Sequence, residues 1–381
     1  MLGLGECAKI AHVDTLALGR RIAQARSQAG MTQEGLGSAA SLDRTAITRL
    51  EKGERKLSVP ELVTIAAALH RPLSYFVTPP VPAVVSRRSD SAHAHATTEV
   101  LDTELEQFAA DVKVLIEMSL LDSVKRPANS RIPKNHGAAE RMAESSRKAL
   151  GLGNDPILDL GEVCGRLGLH TFSAGLGRGG ADGGCVEVSD AQETAGATVV
   201  NGDAPAGRRR MTLAHELGHW LSGDAYDSEA SQDSERMLNS FAIHFLAPRA
   251  GVTRAWGSHA GWPIRDRVLA IGASFRLSWS AAVGQLVNLG LIEHTDRDLL
   301  IMNEPKAGDF ARLGLSWVDE LASPYLSPQF TAACLNGYVT GRLTADRVLE
   351  LLRNTLVDAD LPNPEPPSLS DLRKSFMGHD G

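Results

Sequence analysis

The feature that most constrains this chain is a five-residue pattern, His215-Glu-Leu-Gly-His219, inside a mostly apolar stretch. On an α-helix, residues four apart share a face, so the two imidazoles can bind one tetrahedral Zn²⁺. Glu216 lies one step around the helix, where an unligated carboxylate can take a proton from water held by the ion. Histidine and glutamate are costly in apolar surroundings unless they are paired or bound to metal. The pattern therefore predicts a helix that carries a catalytic metal site.

A third ligand decides between this interpretation and its alternative, a helix that merely carries two surface histidines. Glu235 opens the next amphipathic helix, sixteen residues after His219. If that helix lies antiparallel to the first, it delivers Glu235 to the histidines and leaves the fourth position open to water. Asn239 shares a face with Glu235 by its i, i+4 spacing, and we expect it to position Glu235 or the substrate.

Two further side chains compete for the place of the third ligand. His244 lies nine residues after Glu235, and at about 3.6 residues per turn this places it on the opposite face of the helix. Glu229 is within reach by sequence alone. A strand is predicted just before the histidine helix, at 197–201, and an edge strand beside such a cleft can pair with an extended substrate.

Together these segments resemble the ImmA/IrrE family of zinc metallo-endopeptidases. The resemblance runs from Ala138 to Pro248 and is carried by the segment 210–219, by Glu235-x-x-x-Asn239 and by the residues that follow up to Pro248. It implies a gluzincin-like fold with bound Zn²⁺. It also implies that His215, His219 and Glu235 are the metal ligands and that Glu216 is the catalytic base. Members of this family cleave repressors, so the resemblance implies a protein substrate of that kind.

The N-terminal region carries a second resemblance, to the XRE/Cro type of helix-turn-helix. Residues 17–77 contain several short helical patterns, with Thr32 as a candidate N-cap and Gly53 ending a helix predicted at 43–51. The same region holds nine basic and five acidic side chains, whereas the whole chain has a net charge of −7. A basic module on an acidic body suits contact with double-stranded DNA. The alternative is a helical bundle that uses its basic face for protein contacts.

The helix at 43–51 is expected to enter the major groove, with Ile47 and Leu50 facing the core. Its outer face and its start offer side chains that can contact base edges, namely Arg44, Thr45, Thr48 and Arg49. Three more side chains are better placed for phosphates, which position the protein without specifying sequence, namely Gln33, Lys52 and Arg55. Because modules of this type often act as dimers on paired half-sites, we expect a homodimer.

The remaining patterns predict an α+β, mostly helical protein. We expect a helix-turn-helix domain, a linker, a connecting helix, a metallopeptidase domain with a small β-sheet, and a helical C-terminal region, at 17–77, 78–98, 99–121, 136–250 and 260–360. The connecting helix either docks on the body or pairs with a second copy. No apolar run reaches the roughly 18 residues of a membrane span, and the four cysteines are scattered. We therefore expect a cytoplasmic protein with no membrane partner.

The two resemblances predict a DNA-binding transcriptional regulator that carries a zinc-dependent endopeptidase. This enzyme would hydrolyse peptide bonds in a helix-turn-helix repressor or in its own chain. The alternative is a transcription factor whose peptidase-like domain is a non-catalytic sensor of metal or ligand. A third hypothesis is an interaction scaffold that needs neither metal nor DNA.

Overall fold

The computed structural model describes residues 15–69, 71, 73–77, 94–122, 131–189, 194–223, 232–353 and 355–364. The chain divides into two units, residues 1–80 and 81–381. Glu229 and most of the predicted linker lie outside the described residues. In the part of the chain that is described, no helix is both long enough and apolar enough to cross a membrane.

The first unit is built from short helices whose starts are set by side-chain caps. They are α1 Thr15–Gln28, α2 Gln33–Ala39, α3 Arg44–Glu51, α4 Val59–Ala68 and α5 Leu73–Val77. The Thr32 side chain accepts a hydrogen bond from Gly35 N, and Asp43 accepts one from Ala46 N, so α2 and α3 begin where the sequence predicts. Ile47 and Leu50 are buried against the other helices, as expected of the inner face of α3.

The turn between α2 and α3 is tight. Ser41 has a φ of 56°, a left-handed conformation that glycine would adopt at lower cost. Gly37 allows the close approach, because a Cβ there would lie 2.7 Å from Leu42 O. Glycine lowers helix propensity, but the geometry of the turn requires it at position 37.

The second unit contains a small sheet surrounded by helices. In chain order its elements are α6 Ala94–Glu117, α7 His136–Ala149, α8 Leu160–Arg166, β1 Leu169–Ala174, β2 Gly183–Ser189, β3 Thr194–Asn201, α9 Ala206–Ser222, α10 Gln232–Leu246, α11 Arg249–Ser258, α12 Ile264–Phe275, α13 Trp279–Asn288, α14 His294–Met302, α15 Ala307–Arg312, β4 Tyr325–Leu326, α16 Pro328–Val339 and α17 Ala345–Leu351. The prediction of an α+β, mostly helical fold is confirmed.

The strand order is β2-β3-β1-β4, and this order corrects one prediction. The strand that includes 197–201 is β3, which pairs with β1 in parallel and with β2 antiparallel. Because β3 has a neighbour on each side, it cannot be the edge strand that accepts a substrate. In the described sheet, the edge position next to β3 belongs to β2 instead. A second difference is β4, which lies in a region expected to be helical and pairs antiparallel with β1.

Each face of the sheet carries its own hydrophobic core. On one face α6, α16 and α17 pack against Phe172 and its neighbours. On the other face α7 to α13 surround Trp220 and Phe241. The apolar stripe of α6 is fully buried, which agrees with docking of the predicted connecting helix. That helix starts at Ala94, so residues 94–98 belong to it rather than to a linker.

Candidate metal centre and nucleic-acid interface

α9 and α10 bring two histidines and one glutamate together. His215 Nε2 lies 3.1 Å from Glu235 Oε2, and His219 Nε2 lies 3.3 Å from Glu235 Oε1. The two Nε2 atoms are 3.1 Å apart. Within the described residues, these three side chains form the group of acidic, histidine or cysteine residues that could hold a metal ion.

The donor set fits Zn²⁺. Ligand atoms about 2.0–2.1 Å from one tetrahedral ion lie about 3.3 Å from one another, which is close to the distances between these donors. Two imidazole nitrogens and a carboxylate oxygen are also a ligand combination that catalytic zinc sites use, with a fourth position left open. The residues present therefore suit the metal that the resemblance implies.

Burial and hydrogen bonding act in opposite directions on Glu235. Burial raises the pKa of this carboxyl group, but the hydrogen bonds with His215 and His219 outweigh it and hold the pKa well below its usual range. Glu235 is therefore ionised at neutral pH, as a metal ligand must be. The Glu235 side chain is 36% exposed to solvent, whereas each histidine side chain is 1% exposed. The metal group is therefore open to solvent on the Glu235 side.

Glu216 follows His215 directly in the sequence, and its side chain is fully buried. Neither of its carboxylate oxygens has a hydrogen-bond partner among the described residues. A buried carboxylate without partners is costly, and such groups persist mainly where function requires them. The Cys185 sulfur lies 3.7 Å from the carbonyl oxygen of Glu216, so the edge strand β2 runs directly beside this part of α9.

The close approach of α10 to α9 depends on Gly218. A Cβ at this position would lie 3.0 Å from a ring carbon of Phe241 and 3.1 Å from a methyl carbon of Leu238. The middle of the His215–His219 segment must therefore be small, because a bulkier residue would separate the helices that carry the ligands.

A buried ion-pair cluster holds the start of α9. Arg210 is fully buried and forms an ion pair with Glu320, and its other nitrogen Nη2 donates to Ile157 O. Glu320 also accepts hydrogen bonds from Arg276, at 2.9 Å, and from Leu160 N. Glu320 cannot be identified from the sequence, because it lies 110 residues from Arg210 and no local pattern marks it.

His244 lies on the α7 side of α10, away from the metal group. Its Nδ1 is 3.9 Å from Glu140 Oε1 and 3.4 Å from Gln285 Nε2. Burial lowers the pKa of His244, and the charge of Glu140 only partly offsets that effect. Its position agrees with the half-turn offset from Glu235 that the spacing predicts.

The seven predicted DNA contacts fall into two groups. Four side chains are exposed, on α3 or directly after it, namely Arg44, Thr45, Arg49 and Lys52. The other three are bound within the unit. Gln33 Nε2 donates to Glu51, Thr48 Oγ1 donates to Gln33 Oε1, and Arg55 Nη2 pairs with Glu61 at 2.6 Å. These bonds help to shape the surface that carries the other four, and the DNA contacts of all seven side chains stay predictions.

The Arg55–Glu61 pair also orders the start of α4. Hydrogen bonds from Arg55 and from the Ser58 backbone lower the pKa of Glu61 to about 2. Glu61 and Ser58 form a capping box, in which each side chain binds the other residue's backbone nitrogen.

Residues 22–76 match the helix-turn-helix family HTH_3, which confirms the prediction made for this region. The first unit thus contains a helix-turn-helix domain, a kind of module that binds double-stranded DNA, and the match covers well under half of the chain. A solved structure, the apo form of the competence regulator ComR from Streptococcus vestibularis, is 11% identical over 96% of this chain and 99% of ComR. Its TM-score of 0.16 carries no inference. No curated protein sequence matches this chain.

Proposed function

We propose that this helix-turn-helix regulator is also a zinc endopeptidase, with its active site on α9 and α10. The observation that carries the proposal is the convergence of His215, His219 and Glu235 on one point. The residue that follows His215, Glu216, is a buried carboxylate with no partner among the described residues. The resemblance of 138–248 to ImmA/IrrE peptidases agrees with it.

Each residue has a defined part in the proposed reaction. His215 and His219 in their neutral form, together with ionised Glu235, would hold Zn²⁺. The bound ion would supply a Lewis acid that lowers the pKa of water toward about 7. Glu216 accepts the proton of the attacking water and returns it to the nitrogen of the leaving amine. Burial of Glu216 keeps bulk water away from this proton transfer.

The substrate would be a protein segment in an extended conformation. The strand β2, rather than β3, lies at the edge of the described sheet and next to α9, so it is the strand to which an extended chain can add. A helix-turn-helix repressor, or a segment of this chain, is the proposed substrate. Cleavage would then act on gene expression together with DNA binding by α3, and a homodimer would place two such helices on paired half-sites.

A second candidate function is a non-catalytic sensor of metal or ligand. The burial of His215, His219 and Glu216 favours it, because only the Glu235 side of the group is open to a substrate. The sensor predicts DNA binding that responds to Zn²⁺ without any proteolysis. An interaction scaffold, the third hypothesis, would bind neither Zn²⁺ nor DNA.

Zinc content and proteolysis, measured on matched proteins, separate these candidates. We expect about one zinc ion per chain, and cleavage of a helix-turn-helix protein encoded nearby in the genome. Glu216→Gln should retain the zinc and lose the cleavage. Unchanged cleavage by Glu216→Gln, or purified protein that cannot bind zinc, would overturn the peptidase.

A further inference from the structure

A cleft of about 690 Å³ lies along the seam between α9, α10 and α13. Met211 lines it one helical turn before His215, and Asn239 lines it one turn after Glu235. The cleft therefore follows the same faces of α9 and α10 as the metal group, but on their next turn. Its volume is within the range of about 300–1,000 Å³ that is typical of small-ligand sites.

Two amide side chains in the cleft wall need hydrogen-bond donors. Gln285 is fully buried, and its Nε2 donates to Ala247 O at 2.8 Å. Its Oε1 accepts no hydrogen bond from any residue the structure describes, and the same holds for Asn239 Oδ1. Buried acceptors are normally paired, so a ligand that carries N–H groups would satisfy these two oxygens once their side chains turn toward the cleft.

One end of the cleft favours a negative charge. The N-terminal ends of α9 and α13 meet there, since a Cβ on Gly207 would clash with the backbone nitrogen of Ser278. No side chain caps the first turn of α9, so its positive end is not covered by a capping group. Two guanidinium groups line the cleft, those of Arg236 and of Arg208, which is paired with Asp182. Glu304 is the one carboxylate among the described lining residues.

We propose that this cleft binds a short peptide with a free C-terminal carboxylate. Peptide N–H groups would satisfy Gln285 and Asn239, and the carboxylate would lie at the paired helix ends. Met211 and Ile243 provide an apolar wall for a side chain. The proposal rests on the proposed function only for the fate of the peptide, because the binding itself requires no metal.

A substitution at Gly284 can block the proposed peptide site. It lines the cleft from within α13, and a Cβ there would meet nothing within 4 Å. Gly284→Leu should therefore narrow the cleft, because its Cβ has room and the rest of the side chain extends from there, and it improves the helix propensity of α13. Gly257, in α11, also has open space around a Cβ and is not among the lining residues, so Gly257→Leu is the matched control.

The test is equilibrium dialysis of full-length Glu216→Gln protein against a pool of random tetrapeptides, with mass spectrometry of the retained peptides. We expect a subset to be enriched at least tenfold. Enrichment should be lost in Gly284→Leu and with the C-terminally amidated pool, and kept in Gly257→Leu. Equal retention by Gly284→Leu, equal retention of amidated peptides, or no retention at all overturns the proposal.

Zinc content measured on the same samples keeps this test separate from that of the peptidase. If the protein retains peptides but binds no zinc, the proposed peptide site stands and the proposed peptidase is overturned. If it binds zinc but retains no peptide, the peptide site is overturned and the peptidase is unaffected.

Discussion

Glu235 lies 3.1 Å from His215, although twenty residues separate them in the chain and the two stand on different helices. The carboxylate contacts both imidazoles at once, and this makes the metal group dependent on the packing of α9 against α10.

Glu235→Gln should therefore lower zinc affinity by at least about tenfold, because an amide is a neutral and weaker ligand than a carboxylate. Competition with a chromophoric chelator measures this. Asp233→Asn is the matched control, since it removes an exposed carboxylate from the same turn of α10. Equal affinity for Glu235→Gln and wild type would mean that Glu235 is not a ligand.

Glu216→Gln should raise the free energy of unfolding of the metal-free protein by about 1–3 kcal/mol. The variant replaces a buried carboxylate that lacks partners among the described residues with a neutral group of the same shape, which is less costly to bury. Urea denaturation in the presence of chelator gives the value. Glu140→Gln should have the opposite sign, because Glu140 pairs with Arg249 at 2.7 Å. A loss of stability in Glu216→Gln would contradict the expectation.

Glu320→Gln should lower the free energy of unfolding by about 3–5 kcal/mol, because it leaves the fully buried Arg210 without its charged partner. Asp155→Asn breaks an exposed pair with Arg254 and should cost less than about 1 kcal/mol. Chemical denaturation of both variants tests the contrast, and a similar effect in the two would show that the buried cluster is not what holds the start of α9.

Gly37→Ala should destabilise the first unit, since the new Cβ would press on Leu42 O. Gly35→Ala, two residues earlier in the same helix, meets only the Thr32 hydroxyl at 3.3 Å and should be neutral or stabilise by up to about 1 kcal/mol. Thermal unfolding of the full chain, followed by a probe in the first unit, distinguishes them. Equal effects would argue against the tight turn.

Lys52→Ala should reduce the slope of log affinity against log salt by about 0.9 on a random-sequence DNA duplex, which is the contribution of one phosphate contact. Lys148→Ala removes the same charge from α7 in the second unit and should leave the slope unchanged. Fluorescence anisotropy over a range of salt concentrations measures both slopes. An unchanged slope for Lys52→Ala would exclude it from the interface.

The features that follow from local rules could be predicted from the sequence. Thr32 and Asp43 mark the starts of α2 and α3 because capping needs only a neighbouring backbone nitrogen. The juxtaposition of His215 and His219 follows from helical spacing, and that of Glu235 from one further assumption about packing.

Features that depend on distant parts of the chain could not be predicted. A short apolar segment has no signal for its place in a sheet, so the interior position of β3 and the presence of β4 required the whole fold. Gln33 and Thr48 have the right residue types to contact DNA, yet their mutual hydrogen bond follows only from how α2 packs on α3. Gln285 joins the cleft wall from a helix more than forty residues after Asn239.

The two-residue strand β4 limits how the second unit can be cut for fusion to another protein. It adds the segment after residue 320 to the sheet, and the helices that follow, α16 and α17, cover Phe108 and Phe172 on one face. A graft that stopped at Pro248 would keep α6 but lose β4, α16 and α17, so it would expose part of that apolar face to solvent and favour aggregation. The portion of the chain that can be transplanted onto another regulator therefore extends from α6 to α17 as one piece.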